Sequence, residues 1–490
     1  MAVNYDLIAK EIVDTIGADK VFTEIHERMA YSRDWSVRPF NELSLPDIVV
    51  RPTSTEDVAA TVRIAYKHGV PVIPCGGLTG MAGGAVPTYG GIMIDTRGMN
   101  RILELDIDNL TVTVQAGITI SKLNSELEKH GLWFPHDPES KQAATVGASI
   151  ATRNDSTFGI KYGKIEQSVI GLVLVDGVGD IVRLGQRKTL ISSSGYRLHW
   201  LLVGSEGTLG IITEATLRIF PKPKERCVDM VAFKTFADAT KAVNRIVQAG
   251  LSIESVNIMC SNRFQYYTHA YRVKYGKEAK VPSGTRAILC LTFNGDSEVV
   301  NFSRNYALKI CREMGGIVIE EREIVNAWWT SKHVLKFEPG RQKWPDSQRI
   351  ERFGAADASI PMGRLDEAYE KFKELALRNG LKILGMNVYV QAPYSLHTSV
   401  SFAVYVNDKD VDNIKRFYNY VKEMGLYALS IGGSSTSYQG DGEKYAGVLC
   451  EIEHKDSLKL ISSIKNIFDP KHIMNPGKKF GSSKWIKIGD

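Results

Sequence analysis

The chain has 490 residues, 43% hydrophobic and 24% charged, as in an ordinary globular protein; that is more than one hydrophobic core organises, so two or three domains are expected. Its 61 basic and 55 acidic side chains leave a formal net charge of +6, without the concentrated basic stripe that nucleic-acid binding needs. Six scattered cysteines (Cys75, Cys227, Cys260, Cys290, Cys311, Cys450) form no Cys-x-x-Cys pair, which argues against a disulfide framework, an iron–sulfur cluster or a structural zinc.

The N-terminal stretch MAVNYDLIAKEIVDTIG reads as a short amphipathic helix ending at Gly17, not as a signal peptide. No apolar run approaches transmembrane length, and a cytoplasmic, reduced protein is the expectation. The first clear unit is DIVVRP, then STEDVAATVRIAYKHG, then VPVIP. Ser54 is placed to cap a helix with Asp57 at its third position, Gly69 to end it, and Val70 to Ile73 to follow as a strand. NLTVTVQAG alternates strictly, a helix is expected from Ile120 to His130, and Val169 to Val175 pairs with Ile181 to Leu184 around the turn DGVGD.

After Pro223 the pattern changes to repeated strand–helix–strand units with antiparallel strands, ending in HTSVSFAVYVN, a further helix and YALSIGG. The expected divisions are an N-terminal helical segment over 1–45, a first domain over 46–222, a ferredoxin-like α+β cap over 223–440, and a helical C-terminal segment, 441–490, that returns to the first domain. The basic stretches Lys222 to Arg226 and Lys478 to Lys487 read as solvated loop and tail; attraction to an anionic membrane surface is the alternative.

CGGLTGMAGG (Cys75 to Gly84) directly follows a strand, and its five glycines let backbone N–H groups approach a pyrophosphate. It is neither a Rossmann fingerprint nor a P-loop. HDPES (His136 to Ser140), TVGASIATRNDSTFGIKYG (Thr145 to Gly163), GSEGTLGIIT (Gly204 to Thr213) and NPGK (Asn475 to Lys478) follow in order.

In this order and spacing, these segments resemble the FAD-binding fold of the vanillyl-alcohol oxidase and p-cresol methylhydroxylase superfamily. They are most similar to its D-lactate, glycolate and D-2-hydroxyglutarate dehydrogenase branch and to alkyldihydroxyacetonephosphate synthase. The resemblance implies an α+β protein: a two-subdomain FAD-binding domain of this type, then the cap and the C-terminal return. It places Gly76, Gly77, Leu78, Thr79 and Gly80, led in by Pro74 and Cys75, around the FAD pyrophosphate. Leu78 stands where the family often has glycine. Pro138, Glu139, Ser140, Thr145, Gly147 and Thr152 match the segment along the isoalloxazine and ribityl chain, Gly207 and Ile212 the adenine side, and Asn475 the C-terminal return to the flavin. No histidine lies in Cys75 to Gly84, so the FAD is expected to be non-covalent.

A flavin dehydrogenase of a 2-hydroxy acid needs a base for the hydroxyl proton, a cation for the carboxylate and an exit for electrons. The branch carries His-x-Gly-Asp-Gly-Asn-x-His and a later Glu-His-Gly, often around a divalent metal. Here the first stretch is VQAPYSLH, where only His397 survives and Val390 replaces the first histidine; the second is YQGDG, with Gln439 in place of histidine. One imidazole cannot make a two-histidine site, so no metal is expected. The synthase's histidine run is likewise replaced, by Ser437, Tyr438 and Gln439.

The remaining catalytic candidates are His397, Tyr394, Tyr438 and Lys332, each with a bland counterpart: core histidine, buried aromatic, or solvated helix lysine. Lys332, after Trp328 and Trp329, falls near the relatives' substrate-binding arginine; Arg341 and Arg352 are alternative clamps. Glu451, Glu453 and His454 read as charge at a helix start. The expectation is an FAD-dependent dehydrogenase of a D-2-hydroxy acid such as D-lactate or glycolate. It passes electrons to an external quinone, cytochrome or electron-transfer flavoprotein, peripherally at a membrane or in the cytoplasm, and a homodimer is compatible with it. A synthase-like flavin transferase and a flavin-binding subunit of a larger complex are the alternatives.

Overall fold

A computed structural model of the chain describes residues 3–332, 352–393 and 395–480. The helix Tyr5–Ile16 opens on an Asn4 cap and ends at Gly17, and its buried Ile8 and Ile12 pack against the helix Thr55–His68. That second helix starts on Ser54, whose hydroxyl accepts from Asp57 N at 3.1 Å, and stops at Gly69 with φ 65°. Both signals are local, which is why they are readable without tertiary information.

Two sheets make the N-terminal part. The first has strand order Val21–Phe22, Ile48–Val50, Ile92–Asp95, Val72–Cys75, with the last three strands mutually parallel through a helical crossover. The second is antiparallel, in the order Ile102–Asp106, Thr111–Gln115, Ile211–Arg218, Val169–Val175, Ile181–Gly185. The helix from Ile120 is α-helical to Leu127 and closes as a 3₁₀ turn before Gly131.

From Glu225 the chain builds a seven-stranded antiparallel sheet in the order Ile317–Val318, Glu225–Phe233, Ala287–Gly295, Ser255–Cys260, Lys382–Val390, His397–Val406, Arg352–Pro361. Strand alternation divides its core in two. Val231, Phe233, Leu289 and Leu291 face helices Phe236–Gln248, Ser297–Glu313, Leu365–Arg378 and Val411–Ser430. Met230, Ile288 and Cys290 face Phe264, Tyr267 and Trp328 from helices on the opposite side. Tyr427–Ser430, within YALSIGG, is the last turn of the helix Val411–Ser430, because Ala428 and Met424 continue its buried stripe.

The end of the chain comes back to the first sheet. Met474 lies beside Val72 in parallel register, with Val72 N donating to Ile473 O and Asn475 N donating to Val72 O, both at 2.8 Å. Where the two parts meet, Arg226 makes a bidentate pair with Glu254 and is ringed by Trp133, Phe158 and Trp329. Desolvation is offset there by the double hydrogen bond and three aromatic faces.

Candidate active site

A long cleft runs between the two parts. One wall is the turn after the strand Val72–Cys75. Two glycines show how tightly it is held: a Cβ on Gly77 would sit 2.0 Å from Ala143 O, and one on Gly207 (φ 74°) would sit 2.3 Å from Pro74 Cγ. The N–H groups of residues 77–81 donate to no acceptor among the described residues. A row of open donors beside a cleft lined by residues within 74–85, 137–157 and 206–212 suits a pyrophosphate with the rest of a dinucleotide laid along it. The residues present therefore fit FAD.

The expected flavin-holding residues Pro74 to Gly80, Pro138, Glu139, Ser140, Gly147, Thr152, Gly207 and Ile212 all line this cleft. Thr145 and Asn475 stand behind its wall. Thr145 caps the helix Val146–Thr152. Asn475 Nδ2 donates to Gly84 O at 2.9 Å and to Glu206 O at 2.6 Å, tying the glycine turn to the GSEG turn. Glu206, with φ 52°, accepts from Asp441 N and Gly442 N at 2.6 and 2.7 Å and so braces the C-terminal loop too.

The opposite wall comes from the cap and the C-terminal loop: Arg263, Phe353, Asn387, Tyr389, Ser401, Tyr438 and Gln439. Arg263 is buried in the helix Ser261–Tyr275, with its guanidinium 4.0 Å from the Glu139 carboxylate and 5.7 Å from the Phe353 ring. Burial pushes the Glu139 carboxyl up, while Arg263 and Lys332 pull it the other way. Burial raises the Tyr438 phenol, helped by the charge of Asp357, and the Tyr389 phenol, helped by Glu139, so both are held as neutral donors.

The loop carrying Tyr438 is set by one carboxylate. Asp357 Oδ2 accepts from Ser437 N, Tyr438 N and Gln439 N at 2.7, 2.9 and 3.3 Å, and Oδ1 accepts from Tyr445 OH at 3.0 Å. Buried Lys444, lowered by burial to about 8, donates to Gln439 Oε1 at 2.5 Å and to Ala355 O at 2.8 Å. That bond fixes which way the Gln439 amide faces, and its Nε2 points to Tyr438 OH at 3.4 Å.

The other catalytic candidates lie elsewhere. His397 is exposed as the first residue of its strand, paired with Pro361, and is not among the cleft-lining residues. Lys332 is buried rather than solvated: its ammonium pairs with Asp137, donates to Thr157 Oγ1 at 3.1 Å and lies 4.5 Å from the Trp329 ring centroid. It thus supports Asp137, which does line the cleft. Arg352 donates to Trp35 O at 3.0 Å and approaches Asp408 at 3.7 Å, away from the cleft. Tyr394 and Arg341 lie outside the described residues. Glu453 accepts from Ser435 N at 3.0 Å, and among the described residues no three His, Cys, Asp or Glu gather as a metal site.

Arg263, Asn387, Tyr389 and Asp357 are absent from the expectations drawn from motifs.

Two family models match the chain: an FAD binding domain over residues 46–185, and the C-terminal domain of FAD linked oxidases over 222–479. A D-lactate dehydrogenase of Archaeoglobus fulgidus is 32% identical over 433 residues, covering 88% of this chain and 90% of that one. Glycolate oxidase subunit GlcD of Bacillus subtilis is 27% identical over 475 residues, 96% of each. The structure of p-cresol methylhydroxylase with substrate bound superposes with a TM-score of 0.75 at 16% identity, over 98% of this chain and 97% of that chain, which shows the shared fold.

Proposed function

The chain belongs to the FAD-linked oxidases, as an FAD-dependent oxidoreductase acting on CH–OH groups, and from that premise we propose that its substrate is a D-2-hydroxy acid of the D-lactate or glycolate size class. The backbone of residues 76–80 would hold the FAD pyrophosphate, with Pro138 to Ser140, Gly147, Thr152, Gly207 and Ile212 along the rest of the cofactor. FAD, when bound, supplies the two-electron acceptor for the hydrogen on the hydroxyl-bearing carbon.

The chain's own groups do the rest. Arg263 would pair with the substrate carboxylate, its planar fork matching two oxygens. Tyr438 and Tyr389, kept protonated by burial, would donate to substrate oxygens and orient the hydroxyl. Glu139, beside Arg263 and with its carboxyl pushed up, would take the hydroxyl proton. The Gln439 amide, held by Lys444, would stand where relatives place a histidine. A quinone, a cytochrome or an electron-transfer flavoprotein would complete turnover from outside.

The observation that carries this reading is one buried guanidinium, 4.0 Å from the Glu139 carboxyl, lining with Tyr389 and Tyr438 the same cleft as the glycine turn. The test is anaerobic flavin bleaching by a panel of D- and L-2-hydroxy acids. A D-acid should bleach the wild type; Arg263→Ala should weaken its apparent affinity by about 10²-fold, the loss of a charge-assisted pair worth roughly 3 kcal/mol. No bleaching by any D-2-hydroxy acid sinks the reading.

A further inference from the structure

We propose that the loop over residues 186–203, with the helix Leu458–Phe468, is a docking surface for an anionic lipid bilayer. Exposed apolar and aromatic side chains concentrate in the loop: Ile191 is 85% exposed and Tyr196 93%, with Leu198, Trp200 and Leu201 each about 40% exposed. On the helix Leu460 and Ile467 are exposed as well. Leu201 and Val203 line one groove together with Leu458, Ile461 and Ile464, so loop and helix form a continuous surface. Apolar patches of this kind on a folded chain mark a binding surface, and Tyr and Trp with basic neighbours suit the membrane interface.

Charge selects the occupant. No Asp or Glu occurs from Ile181 to Ser205, although the chain's 55 carboxylates would place about three in a stretch of that length. None occurs from Ser457 to Phe468 either. Lys188 is neutralised by Glu104 and Asp106 at 2.8 and 2.7 Å, and Arg183 lies 3.8 Å from Glu214. Arg187, Arg197 and Lys459 have no ion-pair partner among the described residues, and Arg197 lies over the Trp200 ring at 5.0 Å. Of the groove's carboxylates, Glu206 and Asp441 are turned inward to Lys479 and Glu453 accepts from Ser435 N and Oγ at 3.0 and 2.7 Å, while Glu451 lines the groove as well. Arg187 and Arg197 among exposed aromatics, in a loop that has no carboxylate of its own, complement lipid phosphates; a second copy of the chain would have to bring acidic partners to them. The groove shares Glu206 and Tyr438 with the flavin cleft, so a bilayer seated here lies next to it.

The test is co-sedimentation of the full-length FAD-loaded protein with vesicles, read without substrate, so its failure is separable from failure of the hydroxy-acid reading. Vesicles of phosphatidylcholine with about 30% phosphatidylglycerol should carry the protein down at low salt, and about 0.5 M salt should release it. Phosphatidylcholine alone should bind at least tenfold less. Arg187→Glu with Arg197→Glu, and separately Ile191→Ser with Tyr196→Ser, should each lower vesicle binding at least tenfold at an unchanged melting temperature. The proposal is overturned if anionic vesicles fail to bind the protein, if neither double variant changes binding, or if light scattering shows a dimer that these variants dissociate, which would assign the patch to a second copy.

Discussion

Leu78 takes a left-handed backbone, φ 53°, in the middle of the glycine turn. For a leucine this costs about 1–2 kcal/mol, and glycine would carry no such strain. Yet the side chain is buried with Tyr31, Val49, Ile73, Cys75 and Met93 under the first sheet. Removing a buried leucine side chain costs roughly 2–5 kcal/mol, and an added glycine frees the unfolded chain by a further ~0.5–1 kcal/mol. Packing therefore outweighs strain. Leu78→Gly should lower the unfolding free energy by about 0.5–5 kcal/mol in denaturant titration; an unchanged or higher midpoint would show that strain dominates. The strain is tolerated because the turn's apolar neighbours fix it from below, leaving its N–H groups open above.

At the scale of elements, the C-terminal loop owes its shape to a strand that precedes it by about eighty residues. Asp357, on Arg352–Pro361, gathers three successive N–H groups and a phenol, and sits 3.8 Å from the Lys444 ammonium. Asp357→Ala leaves those donors and a buried lysine uncompensated and should cost about 3–5 kcal/mol. Asp357→Asn keeps an acceptor and should cost less than half as much. Denaturant midpoints together with proteolysis of the 436–442 loop test this; equal losses in both variants would mean that the charge, and not the acceptor geometry, organises the loop.

The same arrangement explains what could be read in advance. Ser54, Gly69 and the Cys75 to Gly84 turn act within a few residues of themselves, so their roles are written locally. Asp357 and Arg263 acquire theirs only through strand order and helix docking. Lys332 looks like a solvated helix end until Asp137, 195 residues away, is brought against it. His397 kept a family motif position but stands exposed at a strand end, while the cap helix bearing Arg263 carries no motif.

For the whole molecule, joining two parts around a cleft buries ionisable groups whose titration opposes one another. His136, buried beside the Phe134 ring with Nε2 2.8 Å from Asn154 Oδ1, is depressed by burial from 6.5 to about 4. The unfolded chain then binds a proton that the folded chain refuses, so this group's stabilisation is full above pH 6.5 and is lost as pH falls to about 4. Its size is about 3 kcal/mol. Asp34, Glu139, Asp155 and Glu206 have carboxyls raised by burial, so the folded state takes up protons more readily and gains stability over the falling side of the same range. The net slope of the wild type therefore mixes both signs, and only a difference isolates the imidazole. His136→Gln removes the titration and leaves the carboxyls. Unfolding free energy measured from pH 7 to 4 should fall more steeply in the wild type than in His136→Gln, with the two curves converging by about 3 kcal/mol toward pH 4. Parallel curves would mean that the imidazole is protonated alike in both states, and that acid sensitivity lies with the carboxyls of the cleft.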